Sequence, residues 1–282
     1  MAAKKPTNKK VTNGGSAIGE AIGANLEMAV QDTIDKFLEN YSCHLLRKTG
    51  YNPLTRKTSK KLYLYDEMGN RYDIDGVITD ESMHPLILLE SKYIRYKKHN
   101  RDKGSWICNA HTAIRKRYSS IRSSVAVLAG NWSRPSLAMM RSYDVNCFVV
   151  PFDKITLFLA QRGIDFTWDE ADDEKAMAAW NQYKELSPAE QYAIGLEMVD
   201  VIKEGLYECL KAALDNNRIR TIQRIIVEIL TSIGETRRFV FNTKDAAIEF
   251  LEGLDLDREF DDAVFLSVYD CPDDEGYDDE ED

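Results

Sequence analysis

The chain has little from which to build a disulfide framework, a zinc site or a membrane span. Its five cysteines, Cys43, Cys108, Cys147, Cys209 and Cys271, are widely scattered among 282 residues. They are odd in number and contain no Cys-x-x-Cys pair, so no disulfide scaffold follows. Cys108 with His111, and Cys43 with His44, each lack the second pair of ligands that tetrahedral zinc requires. No apolar run reaches the roughly 18 residues of a membrane helix, and no signal peptide is recognised. Together these predict a soluble, intracellular protein. There is no Gly-rich phosphate loop, which argues against nucleotide hydrolysis, and no internal repeat. What remains is long enough to bury a full core, in one large domain or two smaller ones.

Positive charge is also scarce on average: the formal net charge is −10, which taken alone argues against a nucleic-acid partner. The distribution argues otherwise. Between Lys92 and Arg122 there are ten Lys or Arg residues and one acid, Asp102. Arg95, Lys97, Lys98, Arg101, Lys103, Arg115, Lys116, Arg117 and Arg122 are therefore candidate contacts to a DNA backbone. Tyr93, Tyr96 and Trp106 are interleaved with them. The negative charge collects in Trp168–Glu174, which reads as a domain boundary, and in Cys271–Asp282, with eight acids among twelve residues. A block of charge that dense does not fold alone and reads as a solubilising tail.

The chemistry-bearing residues close two apolar runs. Tyr72–Ile78 and Leu86–Lys92 read as strands, with the polar Thr79–Pro85 between them as a hairpin turn. Side chains alternate along a strand, so Asp73 and Asp75 share one face of the first, and Leu88, Glu90 and Lys92 one face of the second. Charged residues at the end of a hydrophobic run are rarely buried without a function. Hard divalent cations such as Mg²⁺ or Mn²⁺ take carboxylate and water oxygens, commonly one or two protein carboxylates plus a substrate phosphate. A lysine on the same face can orient the attacking water or offset charge at the phosphate.

The spacing Asp-x14-Glu-x-Lys after Ile74-Asp-Gly-Val77 resembles the PD-(D/E)XK nuclease superfamily, with Ile74 where the motif's proline would stand. The element order is similar too. A helix is expected over Ile18–Leu38, where Ile18, Ile22, Leu26, Val30 and Ile34 recur at helical spacing. A strand at Lys61–Tyr65 and the turn Met68–Asn70 then complete a three-stranded meander. Beyond Lys92 a helix marked by Ile107, Ala110, Ile114 and Tyr118 precedes a strand at Ser124–Ala129. A helix over 135–143 and a strand at Asn146–Pro151 follow. This predicts an α/β fold, a mixed central β-sheet flanked by helices with a restriction-endonuclease-like core. The resemblance implies a metal shell of Asp75, Glu90 and Glu27, the last from Gly23-Ala-Asn-Leu-Glu27, with Glu20 in reserve and Lys92 as the catalytic lysine.

The organisation expected is a disordered basic arm over 1–14, a nuclease core over 15–165, a mostly helical C-terminal module over 175–255 and an acidic tail over 256–282. In the module, Ser187-Pro-Ala-Glu190 fits a capping box with proline in the first turn. An apolar stripe runs from Leu196 to Leu214. A helix is expected over Thr221–Ile233, a strand at Arg238–Phe241 and a helix over Thr243–Leu251. The module is the expected surface for homodimerisation or a partner subunit. The resemblance implies a Mg²⁺-dependent endodeoxyribonuclease in a bacterial, archaeal or phage cytoplasm, with restriction of foreign DNA as its biology. Two alternatives stay open: a repair or recombination nuclease acting on branched or nicked DNA, and a catalytically inactive nuclease-fold subunit binding DNA or protein.

Overall fold

One face of the first helix carries isoleucine or another apolar residue at every turn, and most of the fold is built on that face. The computed structural model describes residues 13–48, 51–52, 57–58, 61–217 and 219–261. The chain divides into two units, Met1–Asp215 and Asn216–Asp282.

In the first unit α1 spans Gly14–Leu38, and Asn13 caps it by accepting from the Ser16 N–H at 2.7 Å. Five short strands follow: β1 (Cys43–Arg47), β2 (Tyr51–Asn52), β3 (Lys57–Thr58), β4 (Tyr63–Tyr65) and β5 (Arg71–Asp73). Then come β6 (Gly76–Asp80), β7 (Pro85–Ile94), α2 (Asn100–Arg117), β8 (Ser123–Gly130), α3 (Arg134–Ser142) and β9 (Val145–Pro151). Three helices complete the unit: α4 (Phe152–Ala160), α5 (Asp173–Glu185) and α6 (Pro188–Leu214).

The central sheet is five-stranded, in the order β1-β6-β7-β8-β9. Pairing is antiparallel from β1 to β7 and parallel from β7 to β9, with α2 and α3 as the crossovers. β8 is buried along its whole length, as expected of a strand covered on both faces. Ile87, Leu89, Val125 and Val127 pack under α1 and α6, while Leu88, Ala126 and Leu128 face the helices of the other layer. The result is an α/β fold with a mixed sheet flanked by helices, as the pattern of runs predicts.

Several expectations are corrected. The strand read as Tyr72–Ile78 is broken at Ile74–Asp75: β5 pairs with β4 in a separate two-stranded sheet, and only β6 joins the central one. The third strand of the meander is instead β1, antiparallel to β6. The helices expected in a separate module belong to the first unit, because α5 and α6 pack on α1. Gly195 permits this, since a Cβ there would lie 2.5 Å from the Asn25 carbonyl oxygen. Ser187 and Glu190 do form the capping box at the start of α6. The expected basic arm falls outside the described residues except for Asn13 and Gly14, which begin α1.

The second unit contains β10 (Ile225–Leu230), β11 (Thr236–Phe241), α7 (Lys244–Glu252) and α8 (Leu256–Asp261). β10 replaces the helix expected over Thr221–Ile233. Its Ile and Val residues prefer extended backbone, and it pairs antiparallel with β11 across a turn where Gly234 takes φ +91°. The remainder of the expected acidic tail, from residue 262, lies outside the described residues.

Arg95, expected among the DNA contacts, is a core residue. Its guanidinium donates to the carbonyls of Phe166 at 3.0 Å and Trp168 at 2.6 Å, and lies 4.0 Å from the Trp168 ring centroid. It pins the stretch 164–168, whose Ile164, Phe166 and Trp168 are buried, against the end of β7. Arg95→Ala leaves two buried carbonyls without donors and should destabilise the protein by about 2–4 kcal/mol, whereas Lys97→Ala on the exposed neighbour should stay within about 0.5 kcal/mol. Denaturant unfolding of both variants checks this, and an unaltered midpoint for Arg95→Ala returns the residue to the surface.

Candidate functional site

The site forms where β5 breaks off from β6 beside the C-terminal half of β7, whose Ser91–Tyr93 are half-buried. Alternation along β7 puts Glu90 and Lys92 on one face, and Asp75 sits in the two-residue gap opposite them. The Lys92 Nζ donates to Asp75 Oδ2 at 2.8 Å and to Glu90 Oε2 at 2.6 Å. The Ser91 N–H donates to Asp75 Oδ2 at 2.9 Å, so the strand backbone itself holds the carboxylate. Side-chain exposure is 4 % for Asp75 and 0 % for Glu90, against 23 % for Lys92, which makes the lysine the solvent-facing member.

Sequence reasoning missed two further residues. Lys48, just past the end of β1, donates to Asp75 Oδ1 at 2.5 Å and lies 3.9 Å from Asp73. Gln31, one turn beyond Glu27 on α1, donates to Glu27 Oε1 at 3.3 Å and to the Asp75 carbonyl at 3.2 Å. The signal for Gln31 is its four-residue spacing from Glu27. Lys48 follows a strand whose composition does not announce it. Glu20 is exposed, so of the two α1 glutamates only Glu27 belongs to this constellation.

The two buried carboxyls are pushed in opposite directions. Burial alone would raise Asp75, but the charge of Lys92 and the hydrogen bonds from Lys48 and Lys92 outweigh it and hold the group ionised. Glu90 is raised well above the usual carboxylate range, by burial first and by the neighbouring Asp75 charge next, with Lys92 opposing. Glu27 is raised by burial and by Asp75. Lys92 is held charged: burial works against it, and Glu90 and Asp75 overcome that.

Among the described residues no group of three or more His, Cys, Asp or Glu converges as a ready-made metal cage. Glu27, the third carboxylate expected, accepts from Gln31 at 3.3 Å. Two carboxylates still suit Mg²⁺, which rarely uses an all-protein cage. Glu90 Oε1 supplies a specific reason: it is buried with no hydrogen-bond partner among the described residues, a hard oxygen beside the ionised Asp75.

The basic residues do not form one stripe. Lys97, Arg101 and Lys103 are exposed around the start of α2, near the Lys92 end of β7. Lys98 is paired with Glu170. Arg115, Lys116 and Arg117 lie at the far end of α2, about 20 Å along the helix from Lys103. There Arg117 donates to the Asp66 carbonyl at 3.0 Å, and Arg122 to that of Ala213 at 3.1 Å.

The raised Glu90 group has a consequence for stability. A carboxyl that holds its proton more tightly folded than unfolded stabilises the fold at low pH, and that contribution is lost as pH rises above the ordinary value near 4.5. In EDTA, Glu90→Gln should raise the melting temperature at pH 8 and change it little at pH 4. Thermal unfolding at both values checks the sign, and a variant less stable at pH 8 would contradict it.

No family model matches the chain, and no curated protein sequence does either. Among solved structures the chain is similar to one described as "Crystal Structure of Protein of Unknown Function AF1548", at 11% identity, covering 67% of this chain and 98% of that one with a TM-score of 0.30.

Proposed function

We propose that the chain is a metal-dependent nuclease of the PD-(D/E)XK type that hydrolyses DNA phosphodiester bonds, with restriction of foreign DNA as its setting. The observation that carries this reading is the meeting of Asp75, Glu90 and Lys92 at distances of 2.8 Å or less at the end of β7, with one Glu90 oxygen left unpartnered among the described residues. Asp75 and Glu90 would hold Mg²⁺ or Mn²⁺. Bound there, the cation would stabilise charge on the phosphodiester and lower the pKa of a bound water. Lys92, charged and partly exposed, offers an ammonium to a phosphate oxygen or to the attacking water. Gln31 fixes the backbone of Asp75 and ties Glu27 to it.

A second reading has an observation of its own. Lys48 and Lys92 neutralise Asp75 without any metal, which also suits a nuclease-like subunit that binds DNA or protein and does not cut. The two readings separate on cleavage. As to partners, the apolar stripe of α6 is spent on α1, so a dimer or partner contact is better sought in the second unit, where Ile226, Leu230 and Val240 are exposed.

Plasmid or mixed-sequence duplex should be cut with Mg²⁺ or Mn²⁺ and left intact in EDTA. Asp75→Ala and Glu90→Ala should abolish cutting, and Lys92→Ala should lower it by about 10²-fold or more. Cutting that survives exhaustive chelation ends the metal mechanism, and wild-type rates for Lys92→Ala remove the lysine from it. Replacing Lys97, Arg101 and Lys103 by alanine should weaken DNA binding. Its log–log salt dependence should flatten by about 0.9 for each phosphate that is no longer neutralised. A salt slope unchanged in that triple variant, measured by titration at several ionic strengths, places the DNA elsewhere.

A further inference from the structure

A cleft of about 500 Å³ opens beside the site, reaching from Glu27 and Lys92 along the N-terminal half of α1. That is the size of a small-molecule pocket rather than a duplex groove. Its α1 wall is bare, because Gly15, Gly19 and Gly23 recur every fourth residue and so share one face. Tyr93 packs along these glycines, 3.3 Å from where a Cβ on Gly19 would stand. Tyr96 lines the cleft as well.

The charge of the lining selects the occupant. Glu20, Glu170 and Asp173 line it, together with Glu27. Glu170 is already paired with Lys98. Of the cations beside them, Lys92 is engaged by Asp75 and Glu90 and Arg95 by two backbone carbonyls, which leaves Lys103 at the rim against Glu20 and Asp173. Away from its Lys92 and Lys103 edge, the wall formed by Glu20 and Asp173 is acidic and disfavours a phosphate. A flat, neutral group that donates hydrogen bonds would find carboxylate acceptors and aromatic surface.

We propose that this cleft takes a single nucleobase bearing an exocyclic amino group, turned out of the strand whose phosphate lies at Lys92. The proposal rests on the nuclease reading. Carboxylates accept from such amino groups, and tyrosine rings supply sequence-tolerant contact to bases. With Asp75 and Glu90 almost wholly buried, a strand able to splay its bases would reach them more readily than a continuous duplex. The substrate class is therefore single-stranded DNA, or duplex opened at the cut site.

The test compares a mixed-sequence single-stranded oligonucleotide with a tetrahydrofuran-phosphate oligomer of equal length and no bases, in EDTA at fixed salt. Wild type should bind the natural strand at least about tenfold more tightly, as base–aromatic stacking predicts. Gly19→Leu, a better helix former that fills the cleft, should lose that preference while keeping its fold and its affinity for the base-free oligomer. Glu20→Gln should narrow any preference for oligo-dC over oligo-dT. Equal binding of the two oligomers by wild type, or a full preference retained in Gly19→Leu, overturns the base pocket while Mg²⁺-dependent cutting still upholds the nuclease. Absence of both DNA binding and cutting overturns the two together.

Discussion

Asp75 and Glu90 have almost no exposed surface, and both lean on a single ammonium, that of Lys92. Two carboxyls this close in a low-dielectric site cannot both stay ionised at no cost, so Asp75 is held charged while Glu90 is pushed above the usual carboxylate range. The lysine shares its hydrogen bonds between them, but Asp75 also receives Lys48 and the Ser91 N–H, and this decides which one ionises. Glu90, without such help, absorbs the penalty of burial. An asymmetric pair of this kind is poor design for stability alone, because apolar residues of similar size often serve a core as well or better. That is the physical reason to regard the pair as functional.

The rest of the first unit holds that pair in register. β7 is fixed on both sides, antiparallel to β6 and parallel to β8, so the alternation that aims Glu90 and Lys92 cannot slip. α1 adds the second constraint. Its isoleucines are buried under α5 and α6, and this anchoring brings Gln31 within 3.2 Å of the Asp75 carbonyl. The long helices α5 and α6 thus act on the site indirectly, by clamping the helix that touches it.

What the sequence makes legible is local. The apolar run of 86–92, the three- and four-residue spacing of α1 and the Ser187–Glu190 cap each depend on neighbours in the chain, and each forms as read. What it hides is non-local. The spacing of Ile222, Ile225, Ile226, Ile229 and Ile233 suits a helix, yet the same string places Ile225, Val227 and Ile229 on one face of a strand, and pairing with β11 decides between them. The stripe on α6 announces a partner but not that α1 is the partner. Arg95 looks like its basic neighbours because Phe166 and Trp168, which claim it, lie 71 and 73 residues away. Lys48 is invisible for a similar reason: its carboxylate partner is 27 residues on.

The division of labour between the cations follows from their chemistry. Arginine's planar, weakly hydrated guanidinium suits Arg95, which must satisfy two carbonyls and lie against aromatic rings at once. Lysine's compact charge suits Lys48 and Lys92, where one point of charge has to sit between oxygens and still be able to move. An ammonium on a flexible four-carbon stem can swing away when another cation approaches the same carboxylate. A guanidinium locked in a bidentate fork would resist that. The choice of lysine at both contacts to Asp75 therefore keeps the carboxylate ionised and organised while leaving its oxygens exchangeable, which is what the proposed metal site would require and a purely structural ion pair would not.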